Sequence, residues 1–334
     1  MEQIKRVGVD TSKHIFTVHG VDEKDRPVLR RNLRRSAFLE FFAKLAPTKI
    51  AMEACAASHH WGRELQALGH QVVLIPPQYV KPFVKRGKND RNDAEAISEA
   101  AARPGMANVA VKSAEQQANA MLLSVRELLS RQRTQLVNAL RGHAAEFGLV
   151  AAKGDKGVTE LLAAAQASLP TPAVEALTLL GRQIEHVEAE LAQADLKLQA
   201  QHRALPASRL LETIPGVGWM TALTLTLRID ASQFESGRHL AAWLGLVPKE
   251  NSTGGKHRLG AISRAGDERL RSLLVLGATA VIRHAKPGKT SPWLLSLLAR
   301  KPRKLAAVAL ANKLARVVWA VMTSGESYRP PQAA

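Results

Sequence analysis

The sequence predicts an α/β domain followed by an all-α region, and three observations carry that reading. Short β-branched runs, separated by turn residues, fill the start of the chain and then alternate with helical stretches. Between residues 113 and 200, apolar side chains recur at steps of three and four, the period of one helix face. Beyond residue 210 the apolar helical pattern continues, broken by basic loops that contain Pro and Gly.

Taken in order, residues 7–10, 15–21 and 26–33 read as three strands in a meander. Ser36 is placed to cap a helix over 38–45. Residues 49–53 form a buried strand, 60–68 a helix, and 71–75 another apolar strand closed by Pro76 and Pro77. Together these predict a mixed sheet. Leu122, Val125, Leu129, Gln132, Leu136, Ala139 and His143 then define one helix face. Leu177, Leu180, Ile184, Val187, Leu191, Ala194 and Leu198 define a second, after a Gly- and Pro-containing loop over 153–172. Repeats of this quality predict a helical, coiled-coil arm. Residues 269–283 and 305–322 read as the apolar helices of a C-terminal domain. With 334 residues the chain exceeds one ordinary domain. The divisions expected are 1–110, 111–204 and 205–325, with a disordered tail over 326–334.

The charge balance narrows function. Lys and Arg total 47 against 29 Asp and Glu, a net +18, which points to a polyanionic partner and first of all nucleic acid. No apolar run reaches the roughly 18 residues of a membrane span, and no signal-peptide core follows the first residues. A lone cysteine, Cys55, excludes a disulfide framework and a cysteine-rich zinc site. The expectation is a cytoplasmic protein with no membrane partner, associated with the nucleoid when bound to DNA.

Carboxylates on apolar strands of so basic a chain are costly unless something compensates them. Asp10 ends Val7-Gly8-Val9-Asp10 and Glu53 ends the strand over 49–53. Asp90 and Asp93 stand three residues apart at a helix start, on one face. Four such carboxylates could hold two magnesium ions, with manganese able to substitute, and act on a phosphodiester. Taken singly, Asp10 also suits a turn, Glu53 an arginine pair, and Asp90 an N-cap. Lys81, Lys85, Arg86, Lys88 and Arg91 crowd the same stretch and could hold the phosphates of the cut strand.

In the second half, Gly216 and Gly218 in the turn over 214–218 resemble a helix-hairpin-helix, whose backbone amides approach a phosphate. The segment over 245–258 reads as a polar loop between helices. Ser252, Thr253, Gly254, Gly255, Lys256, His257 and Arg258 suit a phosphate, and a hydroxyl there could attack one. Arg303 and Lys304 belong to another basic patch. Aromatic residues are only 4% of the chain, so base-stacking platforms are scarce, and the five tryptophans are expected in the core.

The order strand–Asp, strand–Glu, helix–Asp-x-x-Asp is that of the ribonuclease-H-like fold in its junction-resolvase branch. With the stretches around Gly8, Met52, Tyr79 to Ala94, Ile214 and Gly245 to Lys256, the chain resembles the DEDD transposases of bacterial insertion sequences. These form the one-ten family, and the likeness is to its eleven-eleven subgroup. The resemblance spans nearly the whole chain. It implies a magnesium-binding catalytic set of Asp10, Glu53, Asp90 and Asp93, and Ser252 as the nucleophile that joins DNA. It implies donor and target DNA as substrates and a noncoding guide RNA as partner, making an RNA-guided recombinase. Four strand cleavages suggest a homo-oligomer, a dimer of dimers. A junction-resolving nuclease and a structural nucleic-acid-binding protein are the alternatives.

Overall fold

The computed structural model describes residues 4–85, 90–106, 108–256, 258–288 and 290–330, with Asp90 and Asp155 described in backbone only. The chain divides into two compact units, Met1–Ala118 and Asn119–Ala334.

The first unit is built on five strands: β1 (Arg6–Thr11), β2 (Ile15–Val21), β3 (Pro27–Arg34), β4 (Lys49–Glu53) and β5 (Gln71–Ile75). Their order is β3-β2-β1-β4-β5. The first three pair antiparallel as a meander, while β1, β4 and β5 are parallel, so the sheet is mixed as expected. Helices α1 (Phe38–Ala43), α2 (Ser58–Ala67), α3 (Pro77–Val80) and α4 (Asp90–Ala102) complete the unit. Ser36 does not cap α1; it lies in a 3-10 turn, Arg35–Ala37, that leads into the helix.

Alternation along the strands sends successive side chains to opposite faces. Val7, Val9, Phe16, Val18, Ile50 and Met52 pack on one face with Phe38, Phe42, Trp61 and Leu65 from α1 and α2. Edge-to-face rings lock that layer, with Phe16 centred 4.7 Å from Phe38 and 5.1 Å from Trp61, a preferred aromatic arrangement. The opposite face carries Ala51 and Ile75 against Ala96, Ile97 and Ala100 of α4. Small residues let α4 lie close. A Cβ at Gly8 would stand 2.2 Å from the Ala94 carbonyl and 2.6 Å from the Ser98 nitrogen. The C-terminal half of α4 is pinned by two cations. Buried Arg6 donates to the Ser98 carbonyl at 2.8 Å, and Lys49 donates to that of Ala101 at 2.9 Å, filling acceptors near the helix end. With α4 fixed there, its N-terminal turn lies toward the ends of β1 and β4.

In the second unit, α5 (Ala114–Glu146), from Asn119 onward, pairs antiparallel with α7 (Thr171–Ala204). Gln201 bonds Asn119 at 3.0 Å, Arg126 bonds Asp195 at 2.7 Å, and Arg133 bonds Glu188 at 2.7 Å. The α7 face is the expected one, with Leu177, Ile184, Val187, Ala194 and Leu198 buried. The α5 face is displaced by one residue: Leu123, Leu140 and Ala144 are buried while Val125 is exposed. Arg126 and Arg133 occupy seam positions as ion pairs, which an apolar count cannot register. The expected loop over 153–172 contains a helix, α6 (Asp155–Ser168). Gly154 and Pro170 bracket an alanine-rich helix, Gly154 serving as N-cap with φ +104°, and Gly157 falls within its first turn.

The remaining helices are α8 (Pro206–Glu212), α9 (Trp219–Arg228), α10 (Gly237–Trp243), α11 (Glu268–Arg283), α12 (Pro292–Arg300) and α13 (Arg303–Ser324), with a hairpin of β6 (Pro248–Glu250) and β7 (Leu259–Ile262). Leu211, Leu225, Leu240, Leu274, Leu294 and Leu314 give each of these helices a share in one core. By length and composition α13 is apolar enough to cross a membrane, an 18-residue window of it reaching a mean hydropathy of 1.6, although Lys313 and Arg316 interrupt its apolar run. Its apolarity has a local cause: Ala307, Leu310, Ala311, Leu314 and Val318 are buried in that core. Tyr328, expected in a disordered tail, packs on the same core and its amide donates to Thr213 at 3.2 Å. His202 clasps α7 to α8, bonded to Ser208 at 2.8 Å and Glu212 at 2.9 Å. Ser208 is wholly buried, which makes this Ser–His–Glu set a structural tie.

Candidate active site

The first unit gathers its carboxylates at one end of the sheet. Val9 is in register with Met52, so Asp10 and Glu53 follow side by side at neighbouring strand ends, one interstrand spacing of ~4.8 Å apart. Gly8 and Ala51 face α4; two residues on, Asp10 and Glu53 take the same face. Asp93 lies in the first turn of α4, directly before the Ala94 carbonyl that closes on Gly8. Partial burial, and then the Asp93 carboxylate, push the Glu53 carboxyl above its ordinary value, so Glu53 and Asp93 repel each other. Asp90 begins α4, and its side chain lies outside the described residues. Among the described residues, no three His, Cys, Asp or Glu side chains close around a common ion position.

The basic residues divide. Lys85 is exposed and its ammonium pairs with Glu95 at 2.5 Å, which holds the Glu95 carboxyl below its usual range. Lys81 and Arg91 are exposed. Arg86, Lys88 and His257 lie outside the described residues.

Ser252 sits near the tip of the β6–β7 hairpin, where the sequence reads as a polar loop between helices. The amide of Asn251 donates to the Arg258 carbonyl at 2.9 Å, and that of Lys256 to the Thr253 carbonyl at 3.0 Å. Gly254 and Gly255, at φ +55° and +78°, make the two-residue turn with both φ positive that matches strand twist. The Ser252 hydroxyl donates to a Glu250 carboxylate oxygen at 2.9 Å and accepts from the Arg258 amide at 3.3 Å. Glu250 was missed as a partner because residues two apart share a side only once the segment is known to be a strand. Thr253, Lys256 and Arg258 are exposed beside it.

The turn between α8 and α9 has a packing role. Gly216 has φ +90°, and its carbonyl lies 1.8 Å from where a Cβ would stand on Gly277 of α11. Gly216 is therefore spent on a backbone-to-backbone approach, while Gly218 faces open space at the N-cap of α9. Arg303 and Lys304 are exposed in the first turn of α13, where the helix dipole favours anions. Of the five tryptophans expected in the core, Trp61 is buried and Trp219, Trp243 and Trp319 are half-buried against a core, while Trp293 is exposed, with Lys313 over its ring at 4.4 Å.

Comparison with known proteins places both units. A DEDD transposase description of the IS110 type matches residues 7–148, and the transposase IS116/IS110/IS902 family matches residues 208–291. The y4pF/y4sB protein of Sinorhizobium fredii, named a transposase, is 52% identical over 98% of this chain and 87% of its own length. The transposase for insertion sequence element IS1111A of Coxiella burnetii is 40% identical, covering 98% and 92%. The transposase for element IS1328 of Yersinia enterocolitica is 36% identical, covering 97% and 98%.

Proposed function

Because the chain belongs to the IS110 family of DEDD transposases, and is thus a DNA-recombining enzyme, we propose that it cuts and rejoins DNA through a covalent link to Ser252. The observation that carries this reading is the Ser252 hydroxyl already hydrogen-bonded to Glu250 on an exposed turn. A neutral hydroxyl is a poor nucleophile without a base. Glu250 takes the proton as Oγ attacks phosphorus, a deoxyribose oxygen leaves and is protonated, and a phosphoserine ester holds the bond energy. Attack by the hydroxyl of the exchanged strand reverses the step, and Glu250 returns the proton to Ser252. Lys256 and Arg258 offset charge developing on the phosphate; Thr253, Gly254, Gly255 and His257 shape the same turn.

Asp10, Glu53, Asp90 and Asp93 would hold magnesium, or manganese in its place, which when bound polarises the phosphoryl oxygen. The repulsion between Glu53 and Asp93 supports this assignment, since a cation between carboxylates relieves it. Lys81, Lys85, Arg86, Lys88 and Arg91 contact the backbone of the same strand, and Arg303, Lys304 and the Gly216–Gly218 turn, read as helix-hairpin-helix-like, contact DNA elsewhere. The α5–α7 pair serves as a coiled-coil arm for a homo-oligomer, a dimer of dimers. Donor and target DNA are the substrates, at the nucleoid in the cytoplasm. Sequence choice is assigned, on the resemblance to the family alone, to a noncoding guide RNA.

Trapping on denaturing gels tests the reading. End-labelled DNA should form a protein adduct with the wild type and Thr253→Ala, and none with Ser252→Ala. Cleavage that persists without any adduct and needs a divalent ion would instead identify a hydrolytic nuclease.

A further inference from the structure

We propose that the cleft between β2, β3 and α4 holds a backbone phosphate of the DNA strand being cut, within three nucleotides of the scissile bond. The proposal rests on the carboxylate end of the sheet being where that strand is processed.

The register of the sheet supplies the geometry. Asp10 stands opposite Thr17, and Thr17 opposite Asn32, so Glu53, Asp10, Thr17 and Asn32 form one row across four strands on the α4 face. Asn32 lies two interstrand spacings from Asp10, or ~10 Å. That reach equals about three nucleotides at the ~3.4 Å rise of a duplex strand.

A cavity of about 340 Å³ opens beside this row, lined by Thr17, His19, Arg30, Asn32, Arg91 and Glu95 among others. Its floor is polar and buried, with Thr17 at 5% and His19 at 4% exposure. Its rim is cationic. Arg30 and Lys85 both pair with Glu95, at 3.8 and 2.5 Å, two cations to that one carboxylate. The cleft therefore keeps a positive excess next to the carboxylates.

Charged residues on an edge strand also deter strand pairing between molecules, and Arg31 fits that role on the opposite face, over Phe41 at 5.9 Å. Arg30 and Asn32 differ, because alternation turns them toward α4 and the buried floor. A guanidinium, an amide and a hydroxyl around one concavity suit a phosphodiester, which accepts hydrogen bonds and carries one charge.

The test scans neutral methylphosphonates through the phosphates flanking the cleavage site, using the full-length protein. Neutralising one phosphate within three nucleotides should weaken wild-type binding about tenfold, the scale of a charge-assisted hydrogen bond. Arg30→Gln should weaken binding to unmodified DNA by the same factor and lose sensitivity at that one position. Asn32→Ala, exposed and compatible with the fold, should blunt it in part. The proposal is overturned if Arg30→Gln remains as sensitive as the wild type at every DNA position, or if the lost sensitivity maps to RNA. It is equally overturned if millimolar inorganic phosphate fills the cleft without competing with DNA. Adduct formation at Ser252, read in the same samples, reports separately on the covalent mechanism.

Discussion

The hydroxyl of Ser252 donates a 2.9 Å hydrogen bond to Glu250, two residues earlier in the same hairpin. The Arg258 amide reaches the same oxygen from across the turn at 3.3 Å, so the hydroxyl is oriented from both strands. A carboxylate that accepts a hydrogen bond from the serine hydroxyl before substrate arrives fits a general base better than the lysine and arginine of this loop, which carry no acceptor.

Replacing Glu250 by Gln keeps the shape and removes the proton acceptor. Adduct formation in single-turnover mixing should slow by roughly 10²–10⁴, the usual contribution of general base catalysis, with DNA affinity little changed. An unaltered rate would assign proton removal to another group.

Gly8 sets the position of α4. Its missing side chain admits the Ala94 carbonyl, so Gly8→Ala must push the N-terminal turn of α4, and Asp93 with it, away from Asp10. We expect a loss of about 2–4 kcal/mol in thermal or urea unfolding and recombination lost with every carboxylate intact. Gly142→Ala, in α5 with nothing nearby, should stabilise by about 1 kcal/mol and serves as the control.

Glu53 gives a pH signature. Its folded-state pKa is raised, by burial first and by Asp93 second. The native state thus binds more protons than the unfolded chain between the two pKa values, and stability falls as pH rises through that window. Glu53→Gln should therefore raise the melting temperature at pH 7–8, with the gain vanishing below the unfolded carboxylate pKa of about 4.3. Magnesium should raise the melting temperature of the wild type and raise it less in Glu53→Gln and Asp93→Asn, because binding stabilises only a state that binds.

The turn at Gly216 predicts an effect on stability. Gly277→Ala places a Cβ 1.8 Å from the Gly216 carbonyl and should cost about 2–4 kcal/mol in chemical unfolding. A neutral result would mean that α9 and α11 separate at no cost.

Much of this was legible in the chain itself, for identifiable reasons. The β-branched runs and their terminal carboxylates located β1 and β4, and strict 3-4 spacing located the buried face of α7. The α5 face was misread by one residue because Arg126 and Arg133 pair with Asp195 and Glu188 inside the seam. Helix α6 was missed because glycine before and proline after an alanine-rich run resemble a loop. Glu250 was missed for want of strand periodicity in so short a hairpin, and the Gly216–Gly277 contact joins residues that no local pattern relates.

The most direct measurement is mass spectrometry of the trapped protein–DNA adduct after protease and nuclease digestion. The account predicts a single modified peptide, with the residual nucleotide esterified to the oxygen of Ser252. A nucleotide on Thr253 or on any other residue, or cleaved DNA with no modified peptide at all, would contradict it.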